Sequence, residues 1–109
     1  MSKNRGKKKI IRTTWNLNSE LLKWINTHFI AYKKIASRHV DLTYHKFEYK
    51  GKILTQIEVV DRIIEITNYL IKDNDYHDLI FEKDQEEKVN TYKNELFDLL
   101  KEVFWCMWW

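Results

Sequence analysis

The sequence contains no proline and only two glycines, Gly6 and Gly51. A β-sandwich or β-barrel of this length needs many tight turns, and tight turns draw heavily on these two residue types. Their scarcity therefore favours long helices joined by few connections. Hydrophobic residues occupy 44% of the 109 positions, which is more than a disordered chain carries and enough for one folded domain.

Cysteine and long apolar runs are also scarce. The single Cys106 excludes an internal disulfide, and no cysteine or histidine pair has the spacing of a zinc site. No apolar run approaches the roughly 18 residues that span a bilayer. Ile10-Ile11 is too short for the apolar core of a signal peptide. We therefore expect a cytoplasmic protein with no metal ion, no other cofactor and no membrane span.

Positive charge is concentrated at the start of the chain. No acidic residue precedes Glu20, and the first thirteen positions hold six cations: Lys3, Arg5, Lys7, Lys8, Lys9 and Arg12. The rest of the chain has 13 basic and 16 acidic residues and is mildly acidic. We expect residues 1–13 to form a flexible basic arm and residues 14–109 to form a single helical domain.

Apolar residues recur at helical spacing in three stretches. The pattern predicts helix one over about 19–39, with Asn18 as its N-cap, and helix two over about 56–72, opened by a capping box of Thr55 and Glu58. A second predicted capping box, residues 84–87, opens helix three. Residues 73–75 are predicted to end helix two, with a short helical piece over 76–82.

Between helices one and two the sequence becomes β-prone. Aromatic and branched residues occur over 42–54, and Lys50-Gly51 is a turn signal. The predicted fold class is therefore all-α or nearly so: a three-helix body with a short β-hairpin-like excursion between helices one and two. The short 73–75 connection predicts that helices two and three are antiparallel neighbours.

No set of residues forms a catalytic signature. Glu58, Asp61 and Glu65 lie on one predicted helix, but a magnesium site of facing acidic helices needs a second acidic helix, and helix one offers only Glu20 at its start. Cys106 has no basic neighbour that would activate its thiol. We expect a protein that is not an enzyme.

Aromatic residues crowd the last six positions, which read Phe-Trp-Cys-Met-Trp-Trp. Phe104 and Trp108 share one helical face and could seal the core, but one face cannot also bury Trp105 and Trp109. Exposed aromatic surface usually marks a contact site. The predicted partner-binding residues are Phe104, Trp105, Met107, Trp108 and Trp109.

These features predict a small interaction protein that binds and modulates a larger protein or assembly, or a second copy of itself, through its aromatic C-terminal helix. The abundance of lysine, asparagine and isoleucine is typical of AT-rich genomes, including those of many phages, so we expect a phage or mobile-element origin. The alternative is a nucleic-acid-binding accessory protein, in which Lys3, Arg5, Lys7, Lys8, Lys9 and Arg12 contact phosphates.

Overall fold

The computed structural model describes residues 17–75 and 83–109, which form three helices and one two-stranded hairpin. In chain order the elements are α1 (Leu17–Ala36), β1 (Lys46–Tyr49), β2 (Lys52–Thr55), α2 (Gln56–Asp75), α3 (Lys83–Val103) and a 3-10 turn (Phe104–Cys106). The predicted fold class is confirmed. The basic arm and the predicted helical piece over 76–82 lie outside the described residues.

The core forms where α2 packs against both α1 and α3. Its buried apolar residues come from all three helices: Ile25 and Phe29; Val59, Val60, Ile63, Ile66 and Leu70; and Leu96, Leu99 and Val103. Apart from the adjacent Val59 and Val60, these residues are spaced by three or four positions, which places them on one face of each helix. The helix α2 supplies half of these residues and is the scaffold of the fold.

Polar contacts fix the two flanking helices against α2. The Nδ2 group of Asn26 on α1 donates to the Oγ1 atom of Thr67 on α2 over 2.9 Å. On the other side, Arg62 of α2 pairs with Glu95 of α3 through two hydrogen bonds of 2.5 and 3.0 Å. Such pairs add geometric specificity to the non-directional burial of apolar surface.

The hairpin turns where the sequence predicts it. Lys46 pairs with Thr55 and Tyr49 with Lys52, and the two loop residues, Lys50 and Gly51, have positive φ angles of 50° and 78°. Positive φ at both loop positions is the conformation that suits the twist of a two-residue hairpin. The strands begin at Lys46, four residues later than the predicted excursion.

The helix ends differ from the prediction in several places. The helix α1 ends at Ala36 instead of residue 39, because the amides of Arg38 and His39 bond three residues back, which tightens the chain into a turn. Residues 73–75 continue α2 instead of ending it. Asn18 and Asp84 lie inside α1 and α3, so neither is the N-cap that the sequence predicts.

The capping box of α2 is confirmed. The Thr55 amide donates to the Glu58 carboxylate over 2.9 Å, and the Glu58 amide donates back to the Thr55 hydroxyl over 3.4 Å. The hydrogen bonds from Thr55 lower the pKa of Glu58 below its ordinary value of 4.5. This reciprocal arrangement satisfies two amides at the start of α2 and fixes the junction between the hairpin and the helix.

A second apolar row on α1 remains at the surface. Leu21, Trp24 and Ile35 recur at helical spacing beside the buried row and could have widened the core face, yet they are exposed. The reason is that α2 packs only on the neighbouring row, which contains Ile25 and Phe29. The Trp24 ring instead stacks on the His28 ring of the same helix.

Candidate interaction surface

The helix α3 gives way to a different backbone at its last buried residue, Val103. Residues 104–106 form the 3-10 turn, and Met107 has φ −87° and ψ 64°, which ends the helical run. We refer to residues 104–109 as the aromatic segment. Because this backbone is not α-helical, the four-residue spacing between Phe104 and Trp108 no longer places them on a common face.

The large rings of the aromatic segment are all more than half exposed. The exposed fraction is 57% for Phe104, 84% for Trp105, 63% for Trp108 and 59% for Trp109. Phe104 and Trp108 do not seal the core, although their four-residue spacing would allow this if the α-helix continued. Met107 is half-buried and packs against the core, so it differs from the other four predicted partner-binding residues.

Two side chains from the body hold the backbone of the aromatic segment. The Gln56 Nε2 group, at the start of α2, donates to the carbonyl oxygen of Cys106 over 2.8 Å. The Tyr32 hydroxyl, on α1, lies 3.3 Å from the carbonyl oxygens of both Cys106 and Trp108 and accepts a hydrogen bond of 2.9 Å from Gln56. These hydrogen bonds connect the aromatic segment to α1 and α2.

Burial strengthens this tether. Gln56 is only 2% exposed, and desolvation raises the pKa of the Tyr32 hydroxyl above its ordinary value of 10.0. The hydroxyl therefore stays protonated at neutral pH and remains a donor. Hydrogen bonds in a buried setting are costly to break because the freed groups lose their partners without regaining water.

Ring contacts fix part of the exposed surface. The Trp109 ring stacks on the His39 ring, with centroids 4.8 Å apart and planes inclined by 19°. The Phe104 and Trp105 rings meet edge to face at 4.9 Å. A surface whose backbone and rings are already ordered has less conformational entropy to lose on binding.

A cavity of about 440 Å³ adjoins the aromatic segment. It lies between the aromatic segment, the first residue of α2 and the loop that follows α1, and its walls are Val40, Asp41, Tyr44, His45, Gln56, Cys106 and Trp108. Small-molecule sites in proteins commonly have volumes of about 300 to 1,000 Å³. The cavity is therefore large enough for a small ligand or for one side chain of a partner.

The other candidate residues have structural partners. Glu58 closes the capping box, Asp61 pairs with Lys33 over 2.6 Å, and Glu65 pairs with Arg62 over 2.7 Å. In the part of the chain that the structure describes, no group of three or more histidine, cysteine, aspartate or glutamate residues is arranged to hold a metal ion. Cys106 carries a free, half-buried thiol.

No protein-family model matches the chain, and no curated protein or solved structure matches it significantly. Among residues 17–75 and 83–109, none of the helices combines the length and the apolar character needed to cross a membrane.

Sequence reasoning did not identify the tether between Gln56, Tyr32 and the aromatic segment. One signal was present. Gln56 precedes Val60, Ile63 and Thr67 at steps of four, three and four residues, so it is a polar residue in phase with the buried row of α2. A buried polar side chain needs hydrogen-bond partners, and this position therefore marks a specific polar contact.

Proposed function

We propose that this protein is a small, non-enzymatic interaction module that binds and modulates a larger protein or assembly through its aromatic segment. One observation carries the proposal: the backbone of the aromatic segment is held by Tyr32 and Gln56 while the rings of Trp105, Trp108 and Trp109 remain mostly exposed. Tryptophan is the residue type most enriched among those that dominate binding energy. The single cysteine supports a cytoplasmic location.

The exposed rings and the fixed backbone of the aromatic segment are suited to binding a partner. Exposed aromatic side chains on an ordered backbone combine a large area of apolar burial with a small entropic cost of ordering. The buried core contains none of these rings: it includes Leu99 and Val103, and the half-buried Met107 packs against it. A contact with a partner, including a second copy of this chain, would remove them from water.

Affinity capture with matched variants tests this proposal. The full chain carries its tag at the N-terminus, and proteins bound from host extract are compared for wild type, Trp105→Ala and Trp24→Ala. Trp24 is the control because it is a tryptophan of 57% exposure on α1. We expect Trp105→Ala to weaken capture of a defined partner by about thirtyfold, equivalent to roughly 2 kcal/mol, and Trp24→Ala to leave it unchanged.

Sedimentation of the purified variants separates the two forms of partner. Concentration-dependent association that Trp105→Ala abolishes identifies a second copy. Capture that survives both Trp105→Ala and Trp108→Ala, or that Trp24→Ala weakens equally, would overturn the aromatic segment as the anchor.

Nucleic acid is the second candidate partner, and the six cations before Glu20 support it. Each phosphate that the arm neutralises would contribute about 0.7 to 0.9 to the slope of log affinity against log salt. Deleting residues 1–12 should then flatten that slope and leave the thermal midpoint nearly unchanged. Two results together would exclude nucleic acid as a partner. The ratio of absorbance at nucleic-acid and protein wavelengths would not change when the purified protein is treated with nuclease, and binding would be insensitive to salt.

A further inference from the structure

We propose that the cavity beside the aromatic segment binds an organic cation that carries N–H donors, such as an alkylammonium or a guanidinium group. This goes beyond the proposed partner contact, because it concerns a group small enough to enter the cavity. The charge, the hydrogen-bonding capacity and the aromatic walls of the cavity together favour such a ligand.

The walls on both sides of the cavity are fixed by hydrogen bonds. On one side the loop after α1 is pinned by the buried Leu42 and by two backbone bonds to the start of α2: the Gln56 amide to the His45 carbonyl (3.0 Å) and the Ile57 amide to the Leu42 carbonyl (2.9 Å). On the other side Gln56 holds the Cys106 carbonyl. A ligand therefore meets walls that are already formed, which reduces the entropy lost on binding.

Asp41 gives the cavity its charge. It is the only aspartate, glutamate, lysine or arginine among the lining residues. Its Oδ1 atom accepts hydrogen bonds from the amide and the hydroxyl of Thr43, at 2.9 and 2.5 Å, and these bonds lower the pKa of the carboxyl group below its ordinary value of 3.8. Asp41 is therefore ionised at neutral pH, and across the described residues it forms no ion pair.

Gln56 supplies a hydrogen-bond acceptor. Both hydrogen bonds of its side chain are made by Nε2, to Tyr32 and to Cys106. Within residues 17–75 and 83–109, nothing donates to its Oε1 atom, although the residue is 98% buried and lines the cavity. A buried amide oxygen without a donor is unfavourable by roughly 1 to 3 kcal/mol, so a ligand with an N–H group gains by satisfying it.

Tyr44 and Trp108 supply aromatic walls. Both line the cavity, and both are mostly exposed, at 76% and 63%. A cation near the face of tyrosine or tryptophan is attracted by the ring quadrupole with about 0.5 to 2 kcal/mol. A carboxylate, an acceptor and two aromatic rings around one cavity favour a cationic donor over an anion.

An NMR titration of the full-length ¹⁵N-labelled protein tests the inference with two probes of the same shape. Butylguanidinium carries the charge, and N-butylurea is its neutral analogue with N–H donors. We expect butylguanidinium to shift the amides of residues 41–45, 56 and 106–108 in a saturable manner, with a dissociation constant of about 1 mM or tighter, which is within the efficiency of ligands of this size. N-butylurea should bind at least about tenfold more weakly, a difference of 1.4 kcal/mol.

Variants locate the site. Asp41→Asn should weaken butylguanidinium binding at least several-fold, whereas Glu48→Gln, which removes an exposed carboxylate on the hairpin, should not change it. Tyr44→Ala should weaken binding and Tyr44→Phe should retain it. Tyr44 is highly exposed, so neither change threatens the fold, and the dispersion of the amide spectrum checks this directly.

A third probe distinguishes the two sources of such a cation. A blocked Gly-Arg-Gly peptide that binds at least as tightly as butylguanidinium assigns the cavity to an arginine of a protein partner, and binding of the free cation alone assigns it to a small amine or guanidine. Absence of saturable shifts at tens of millimolar, equal binding of N-butylurea, or indifference to Asp41→Asn would overturn the inference. The partner-capture experiment does not depend on these results, so the two proposals can fail separately.

Discussion

The Nε2 group of Gln56 lies 2.8 Å from the carbonyl oxygen of Cys106 and joins the first turn of α2 to the aromatic segment. The same side chain reaches the Tyr32 hydroxyl, so one buried amide connects three parts of the fold. Replacing it with an apolar residue should therefore loosen the aromatic segment as well as destabilise the protein.

We expect Gln56→Leu to lower the free energy of unfolding by about 1 to 3 kcal/mol, because Cys106 and Tyr32 lose a buried partner. Urea unfolding measures this, and hydrogen exchange of residues 104–109 measures the loosening. Tyr32→Phe, which removes only the hydroxyl, should accelerate exchange in the same residues. Unchanged exchange in both variants would show that the tether does not order the aromatic segment.

Truncating the exposed aromatic rings should have little effect on stability. We expect Trp105→Ala to change the free energy of unfolding by less than about 1 kcal/mol and Trp108→Ala to change it by about 2 kcal/mol or less, because the side chains are 84% and 63% exposed. Leu99→Ala, in the fully buried part of α3, is the reference and should be destabilising by about 2 to 5 kcal/mol. Calorimetry of the three variants decides it, and a loss at Trp105 comparable to that at Leu99 would place the ring in the core.

The pair of Arg62 and Glu95 makes part of the stability dependent on pH. The hydrogen bonds from Arg62 lower the pKa of the half-buried Glu95 below its ordinary value of 4.5. The folded protein thus binds this proton less readily than the unfolded chain does. The contribution is complete above about pH 4.5 and is lost as the pH falls through the folded-state pKa.

Glu95→Gln should accordingly lower stability by about 1 to 2 kcal/mol at pH 7, between the values for exposed pairs and for buried charged hydrogen bonds. The difference from wild type should shrink in acid, where both proteins lack the ionised carboxylate. Glu65→Gln is the control, because Glu65 contacts the same arginine with a side chain that is 70% exposed. A difference that stays constant across the acid range would contradict the assignment.

Thr55→Ala removes the hydroxyl that caps α2. We expect a loss of about 1 kcal/mol in urea unfolding, since the Glu58 amide loses its side-chain partner. Thr91→Ala is a suitable comparison, because the Thr91 hydroxyl bonds to the Glu87 carbonyl within α3 and caps nothing. Equal losses in the two variants would mean that the cap has no special role.

Local signals in the sequence predicted the parts of the fold that depend on local chemistry. The capping box at Thr55 and the turn at Lys50-Gly51 each follow from two to four adjacent residues, and both are confirmed. The end of α1 was predicted three residues too late because no glycine or proline marks it. A helix that ends because its amides begin to bond three residues back has no such residue to mark its end.

The candidate site depends on contacts between distant residues, and the sequence could indicate only its composition. The aromatic richness of residues 104–109 was visible, but Tyr32 and Cys106 are 74 positions apart. The backbone changes from an α-helix to a 3-10 turn after Val103, and this change determines which rings are exposed. A prediction from helical spacing holds only if the α-helix continues. The cavity around Asp41 likewise exists only once the loop, α2 and the aromatic segment have come together.

The exposure of the indole rings has a spectroscopic consequence. Trp24, Trp105, Trp108 and Trp109 are each more than half exposed, so folding moves these four rings only partly out of water. Their intrinsic fluorescence should change little when the helices melt, whereas covering the aromatic segment would transfer three of them into an apolar setting and shift the emission to shorter wavelengths. Tryptophan fluorescence of the native chain should therefore report whether the aromatic segment is covered by a partner. Unfolding of the helices is better followed by circular dichroism.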